Sequence, residues 1–394
     1  MAHALEWANL LVRWAHLGFG IAWIGTSFYF VWLDSSFTPL AAPRPGTEGE
    51  LWMTHGGNFY HVEKQLIRPG ELPPVLHWFK YEALFTWISG IVLLAVVYYL
   101  TGGAFLVDPA VSAITPGQAT LLSVGLLVVS WLVYDLLWRS PLGRIGWPAT
   151  AISFVLLGGV VYGLCRTLSG RAAYIHVGAV LGTIMVANVW IRILPAQRRM
   201  IAASNEGRTP DYEEGKAAKK RSMHNSYVTL PVLFIMLSNH FAATYGNALN
   251  WLALALLIVA GAAMRHVMIA KSSRAKWLAA VPTVASLAAV YVLTAPPRAM
   301  ATSAVAEAPP FGAVRHVINQ RCLQCHSKYA TDDMFTVAPN GVTFDTPEQI
   351  ANLAARIKER AVVQKTMPFN NKTGITDAER ELLSRWVDAG ARLQ

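Results

Sequence analysis

The sequence predicts an all-α fold: a bundle of eight transmembrane helices followed by a small soluble helical domain. Three observations predict it. Apolar residues make up 54% of the 394 residues and charged ones only 14%, against about 25% charged in ordinary soluble domains. Eight apolar segments reach the ~20 residues needed to cross a bilayer. Beyond the last of them the chain turns polar and carries two closely spaced cysteines.

The segments run in order over residues 8–33, 78–101, 118–138, 145–165, 172–194, 226–243, 249–270 and 275–294. Residues 1–7 are polar and carry no basic stretch ahead of the first apolar run, so no cleaved leader is expected. Fourteen Trp and thirteen Tyr suit many membrane interfaces. The net charge of +10 could point to nucleic acid. Its distribution excludes that class, because the basic residues fall in short loops between apolar runs. The odd-numbered loops carry sixteen Lys and Arg; the even-numbered loops carry two, Arg166 and Arg171. Basic loops stay cytoplasmic, so both chain ends are expected outside, in a bacterial inner membrane. Residues 51–67 of the long first loop are amphipathic and are expected on the inner face. Tyr212–Arg221 reads as a solvated helix end.

Three domains are expected: the membrane bundle over 1–294, an Ala- and Pro-rich tether over 295–311, and a soluble domain over 312–394. The last is defined by Cys322-Leu323-Gln324-Cys325-His326. Two thiols at this spacing followed by histidine form the attachment signature of c-type haem. The thiols bond the two vinyl groups, and the imidazole then stands beneath the iron. A zinc site would need about four ligands, and the only other cysteine, Cys165, lies in an apolar span. Met367, followed by Pro368, is the expected second iron ligand; Met334 competes but lies only eight residues after His326. Thr376 as N-cap, Glu379 three residues later and the face Leu382, Leu383, Trp386, Val387 predict a closing helix that stops at Gly390. The pattern is that of a small class I cytochrome c.

Ionisable groups inside lipid by default mark function, and here they form two layers. His16, His176 and His240 lie in the outer third, as b-type haem ligands, as substrate-pocket bases or as packing residues. His77, Glu82, Asp135, Asn188 and Arg192 lie near the inner ends of their spans. Arg192 offers a planar fork to a delocalised anion, or snorkels from a helix end. Glu82 and Asp135 could take protons, or pair with Lys80 and Arg139. His55, His61, His224 and His266 are expected near the inner surface, mostly solvated or facing lipid.

The stretches His77-Trp-Phe-Lys-Tyr-Glu82 to Gly90, His176 to Asn188, and His224-Asn225-Ser-Tyr227 to His240 resemble the bacterial membrane-bound urate oxidases. That resemblance implies an eight-span domain fused to a carboxy-terminal cytochrome c, with Met367-Pro368 matching the family's Met-Pro pair. It implies an oxidoreductase that converts urate to 5-hydroxyisourate with water as the oxygen source. Electrons would leave through haem c to an external cytochrome. His16 to Gly25 also looks like the opening helix of membrane b-haem proteins related to protoporphyrinogen oxidase. The alternative is a haem-bearing electron-transfer subunit with no small-molecule substrate of its own.

Overall fold

The computed structural model describes residues 2–42, 44–66, 68–295, 308–335 and 337–394. The expected tether lies mostly outside the described residues. Helix α1 (Ala2–Ser36) is followed by a hairpin of β1 (Thr47–His55) and β2 (Asn58–Gln65). Next come α2 (Tyr81–Leu94), which widens into a π-helical turn over Ala95–Tyr99, then α3 (Pro116–Arg139), α4 (Pro141–Ile145) and α5 (Trp147–Thr167). Helix α6 (Gly170–Ala187) runs through a second π turn (Asn188–Ile193) into α7 (Leu194–Asn205). The bundle closes with α8 (Tyr212–Leu237), α9 (Ala242–Tyr245), α10 (Asn250–Ile269) and α11 (Ser273–Leu293).

Among the described residues, seven helices are long and apolar enough to cross a membrane. The expected sixth span, 226–243, is only the apolar half of α8. The other half carries Lys216, Lys219, Lys220 and Arg221, and the helix ends at Leu237. Outward faces are strongly apolar: Leu121, Val155, Trp277 and Tyr291 are each more than 70% exposed. A soluble bundle would bury such side chains, whereas lipid accepts them.

The core gathers around α6, whose Ala172, Ala173, Tyr174 and Val177 are fully buried. It packs against α3, α5 and α8. Close approach to α8 needs small residues. A Cβ at Gly178 would stand 2.6 Å from Ile235 Cγ2, and one at Gly261 of α10 would stand 2.8 Å from Pro231 Cδ.

Two further expectations differ from the structure. The amphipathic stretch 51–67 is largely β-hairpin, with Trp52 paired to His61 and Met53 to Tyr60. Gly56 and Gly57 supply the turn with φ of +60° and +82°, the backbone a two-residue hairpin loop needs. The fifth span does not stop at 194 but continues as helix to Asn205. Arg192 is therefore inside a continuous helix, not snorkelling from its end.

The carboxy-terminal domain contains α12 (Phe311–Arg321), α13 (Pro347–Asn352), α14 (Ala354–Ile357) with a π turn behind it, and α15 (Asp377–Asp388). The closing helix forms as its sequence requires: Thr376 and Glu379 make a reciprocal capping box, and Gly390 follows at φ +92°. Trp386 and Leu383 are buried against Val314, Val317 and Ile318 of α12. Arg321 and Glu379, 3.0 Å apart, tie the first helix of this domain to the last.

Gly261→Ala should destabilise the bundle by about 1–3 kcal/mol, the range for overpacking a tight contact. Thermal unfolding of detergent-solubilised protein checks this, because the Pro231 ring and its backbone nitrogen cannot rotate away. Glu379→Gln should lower the stability of the carboxy-terminal domain by up to about 1 kcal/mol at pH 7, through loss of the charge that pairs with Arg321, while the amide oxygen can still cap the helix. Burial alone would raise this carboxyl; the Thr376 N–H and Arg321 outweigh it and hold it below the ordinary 4.5. The contribution is therefore present above pH 4.5 and disappears as pH falls through the lowered value. Denaturant melts of both proteins should converge in acid.

Candidate functional site

The inner polar layer centres on Asp135 of α3, whose side chain is 5% exposed. Its Oδ1 accepts from Arg192 Nε at 2.8 Å and from Arg221 Nη2 at 3.0 Å. Its Oδ2 accepts from Arg192 Nη2. Arg139 stands further off, at 3.9 Å. A carboxylate in such a place requires ionic partners, and the π turn and α8 deliver one each. Arg192 is thus spent on Asp135 rather than offered to a ligand. Asp135, with guanidinium donors on both oxygens, is not placed to accept a substrate proton.

Beside this clamp runs a chain of uncharged polar groups. Asn225 Nδ2 donates to the Met185 carbonyl at 2.9 Å. Asn188 Nδ2 donates to Asn225 Oδ1 at 2.9 Å and to Tyr134 Oη at 3.1 Å. Tyr134 can then donate to His224 Nδ1, 2.7 Å away. The Arg221 guanidinium lies over the Tyr134 ring, 4.9 Å from its centroid. Two buried atoms, Asn188 Oδ1 and Arg221 Nη1, have no hydrogen-bond partner among the described residues. Each such group costs free energy unless something completes it.

A cavity of about 870 Å³ adjoins this chain. Trp23, Phe30, Trp78 and Phe79 give it aromatic walls; Asn225, Thr229, Gln197 and Lys219 give it polar points. Of the expected catalytic set, His77 alone lines it. Glu82 sits in the first turn of α2, half-buried, and Lys80 lies over the Trp78 and Tyr81 rings.

The outer histidines occupy separate places. His16 Nδ1 donates to the Thr86 carbonyl at 3.0 Å and lies 3.0 Å from Ser89 Oγ. His176 is buried; Nδ1 donates to the Ala172 carbonyl at 2.7 Å, so Nε2 accepts from the Tyr99 hydroxyl at 3.0 Å. Both its nitrogens are committed, leaving no lone pair for iron. The partners of the two histidines, Ser89 of α2 and Tyr99 of the π turn that continues it, are ten residues apart, roughly 15 Å of helix rise. His240 is exposed, in a short 3₁₀ turn. These residues do not fit a shared b-type haem. Two surface expectations also change. His224 is half-buried against Tyr134 and 4.1 Å from the Trp138 ring, and His266 Nδ1 lies 2.6 Å from the Tyr227 hydroxyl.

In the soluble domain, Cys322, Cys325 and His326 follow α12 directly, and both cysteines are unpaired. His326 Nδ1 donates to the Val342 carbonyl at 2.9 Å. A carbonyl can only accept, so the tautomer is fixed and Nε2 keeps its lone pair. Metal-bound histidines are oriented in this way, and the arrangement fits the haem that the motif implies. Met367 lies in the loop before α15; its carbonyl accepts from Arg380 Nη1 at 2.9 Å. Met334 lies in a turn whose N–H groups donate to Asp332 Oδ1.

The same loop touches the bundle. Asn370 Nδ2 donates to the carbonyls of Ala104 and Val107, at 2.6 and 2.9 Å. Phe105 packs against Phe369 and Phe335, with ring centroids 4.9 and 6.2 Å apart. The segment 104–107 is in turn fixed to the start of α6, where Ser169 Oγ donates to the Phe105 carbonyl at 2.8 Å. The carboxy-terminal domain is thus seated on the end of the bundle opposite the basic loops.

These features define a multi-helix protein of membrane type with a smaller carboxy-terminal helical domain on one end. The chain belongs to the urate oxidase N-terminal family, whose model matches residues 2–295. No curated protein and no solved structure matches it. Membership gives the chain a urate-related, oxidoreductive function.

Sequence reading missed Arg221, Tyr134, Phe105 and Asn370. Arg221 had a usable signal: with Asn225 it forms an i, i+4 pair, which places a charge on the face that enters the bundle.

Asp135→Asn should cost about 3–5 kcal/mol, the penalty for breaking a buried ion pair and stranding its partner. The fraction of protein remaining folded after detergent extraction measures it.

Proposed function

We propose that the chain is a membrane-bound urate oxidase that converts urate to 5-hydroxyisourate and passes the electrons through a covalent c-type haem to an external cytochrome. In this reading residues 1–294 form the membrane domain, with α8 supplying the sixth of eight spans, and 312–394 form a class I cytochrome c. The basic loops face the cytoplasm of a bacterial inner membrane, and the soluble domain faces outward. The reaction balances as urate plus water giving 5-hydroxyisourate, two protons and two electrons.

The observation that carries the coupling is the seam. The loop with Met367 and Asn370 is hydrogen-bonded onto residues 104–107, and CLQCH belongs to the same domain. The family match supports the substrate. Urate is assigned to the aromatic-walled cavity, where Trp23 and Trp78 can stack on a purine; this cavity is at the basic end, so its electrons need a further relay across the bundle to reach the seam. In the cavity Asn225 and Gln197 offer polar contacts to the anion, Lys219 being held by Asp34 at 2.7 Å, and His77 is the candidate base. Cys322 and Cys325 would hold the haem by thioethers, and His326 and Met367 would be the residues that bind its iron; when bound, it would supply a one-electron acceptor. Arg192 and Asp135 hold the helices together, outside the chemistry.

Urate added anaerobically to purified full-length protein should reduce a thioether-linked haem without forming peroxide. Cys325→Ser should remove that absorbance and lower turnover with an added cytochrome at least a hundredfold, while membrane insertion persists. Reduction by quinol but not by urate would instead favour an electron-transfer subunit.

A further inference from the structure

A second cavity, of about 600 Å³, lies on the basic end of the bundle between α3, α4, α7 and α8. Seven basic side chains line it against two acidic ones, Glu213 and Glu214. Ion pairing does not cancel this excess. Lys216 is spent on Glu213, Arg199 on Glu214 and Arg192 on Asp135. Arg144 and Lys220 have no carboxylate partner among the described residues, and Arg139 has only the distant one on Asp135. Arg221 is more than nine-tenths buried, and its Nη1 has no hydrogen-bond partner among the described residues although the residue lines the cavity. Lys220 is held at the rim: its Nζ donates to the Gly143 carbonyl at 2.6 Å and lies 4.9 Å from the centre of the Trp138 ring.

We infer that this cavity binds the phosphate group of an acidic phospholipid. A planar monoanion would leave most of the positive charge uncompensated. A phosphate offers several strong acceptor oxygens, enough for the free Arg221 donor and the rim cations together. The place argues for a lipid source. The cavity lies where the basic ends of α3 and α8 meet α4 and α7, and Trp147, which follows α4 in the chain, is 76% exposed. Basic pockets between spanning helices at that level take phospholipid headgroups. The site is separate from the aromatic cavity assigned to urate and does not depend on that assignment.

The test uses full-length protein, purified in a neutral detergent and stripped of lipid. Phosphatidylglycerol or phosphatidylcholine is added back, and thermal midpoint and retained lipid are read by scanning fluorimetry and native mass spectrometry. Phosphatidylglycerol should raise the midpoint by several degrees and remain bound; phosphatidylcholine should do neither. The double substitution Lys220→Gln with Arg144→Gln removes two exposed cations and spares the buried clamp. It should weaken phosphatidylglycerol retention about tenfold with the helical circular dichroism unchanged. Equal effects of both lipids, or full retention by the double variant, would overturn the inference. Stabilisation by millimolar inorganic phosphate equal to that by lipid would overturn the lipid source. Displacement of the lipid by urate would reassign the cavity to substrate.

Discussion

The bundle depends on one carboxylate. Asp135 is the meeting point of α3, the π turn after α6 and α8, because each brings a group that cannot be left alone in an apolar interior. Removing a guanidinium or a carboxylate from water costs several kcal/mol, recovered only when the partners are close and well aligned. The π turn matters here. An extra residue in a helical turn shifts the side chains that follow, and Arg192 sits within that widened turn. Two guanidiniums against one carboxylate leave an excess positive charge. The Tyr134 ring beneath Arg221 offsets part of it.

The clamp also settles where binding can occur. Arg192 and Asp135 have the residue types of an anion fork and a general base, yet each occupies the other. The groups left incomplete lie to either side: the Asn188–Asn225 chain beside the aromatic cavity, and Arg221 beside the basic one. A structural ion pair therefore separates two cavities of different character, one suited to a flat aromatic anion and one to a compact, highly charged group.

What was legible in the sequence was what is encoded locally. The closing helix α15 could be read from Thr376 to Gly390 because cap, amphipathic face and stop are all within one segment. Seven of the eight expected spans were legible because apolar length is a property of each segment alone; the sixth was not, because α8 is apolar over only half its length. The hairpin of 47–65 carried its signal too, in the Gly56-Gly57 pair, but its aromatic side chains suggested an amphipathic surface instead. Pairing across helices was not legible. Asp135 meets Arg192 and Arg221 across separations of 57 and 86 residues, and a polar residue in a span shows neither its depth nor its partner. The π turns were hidden for a related reason, since the packing of neighbouring helices selects them. The histidine layer illustrates the limit. Three imidazoles at similar depth suggested shared ligation, yet a backbone carbonyl and a tyrosine complete His176 where it stands.

The seam between bundle and soluble domain is built to hold orientation. A flexible tether would keep the domains near each other, but electron transfer falls steeply with distance and needs a defined approach. Asn370 contributes a side-chain amide, while the groups it grips are backbone carbonyls of residues 104 and 107. Those carbonyls are held by the loop's own fold and by Ser169, whose hydroxyl and N–H bond the neighbouring carbonyls of Phe105 and Leu106. Ser169 is also the N-cap of α6, the most buried helix in the bundle. The position of the Met367 loop is thereby referred to the centre of the membrane domain. Phe105, between Phe335 and Phe369, closes the contact with apolar area that excludes water from those bonds. Under the proposed function, the soluble domain accepts electrons from a fixed seat rather than by search.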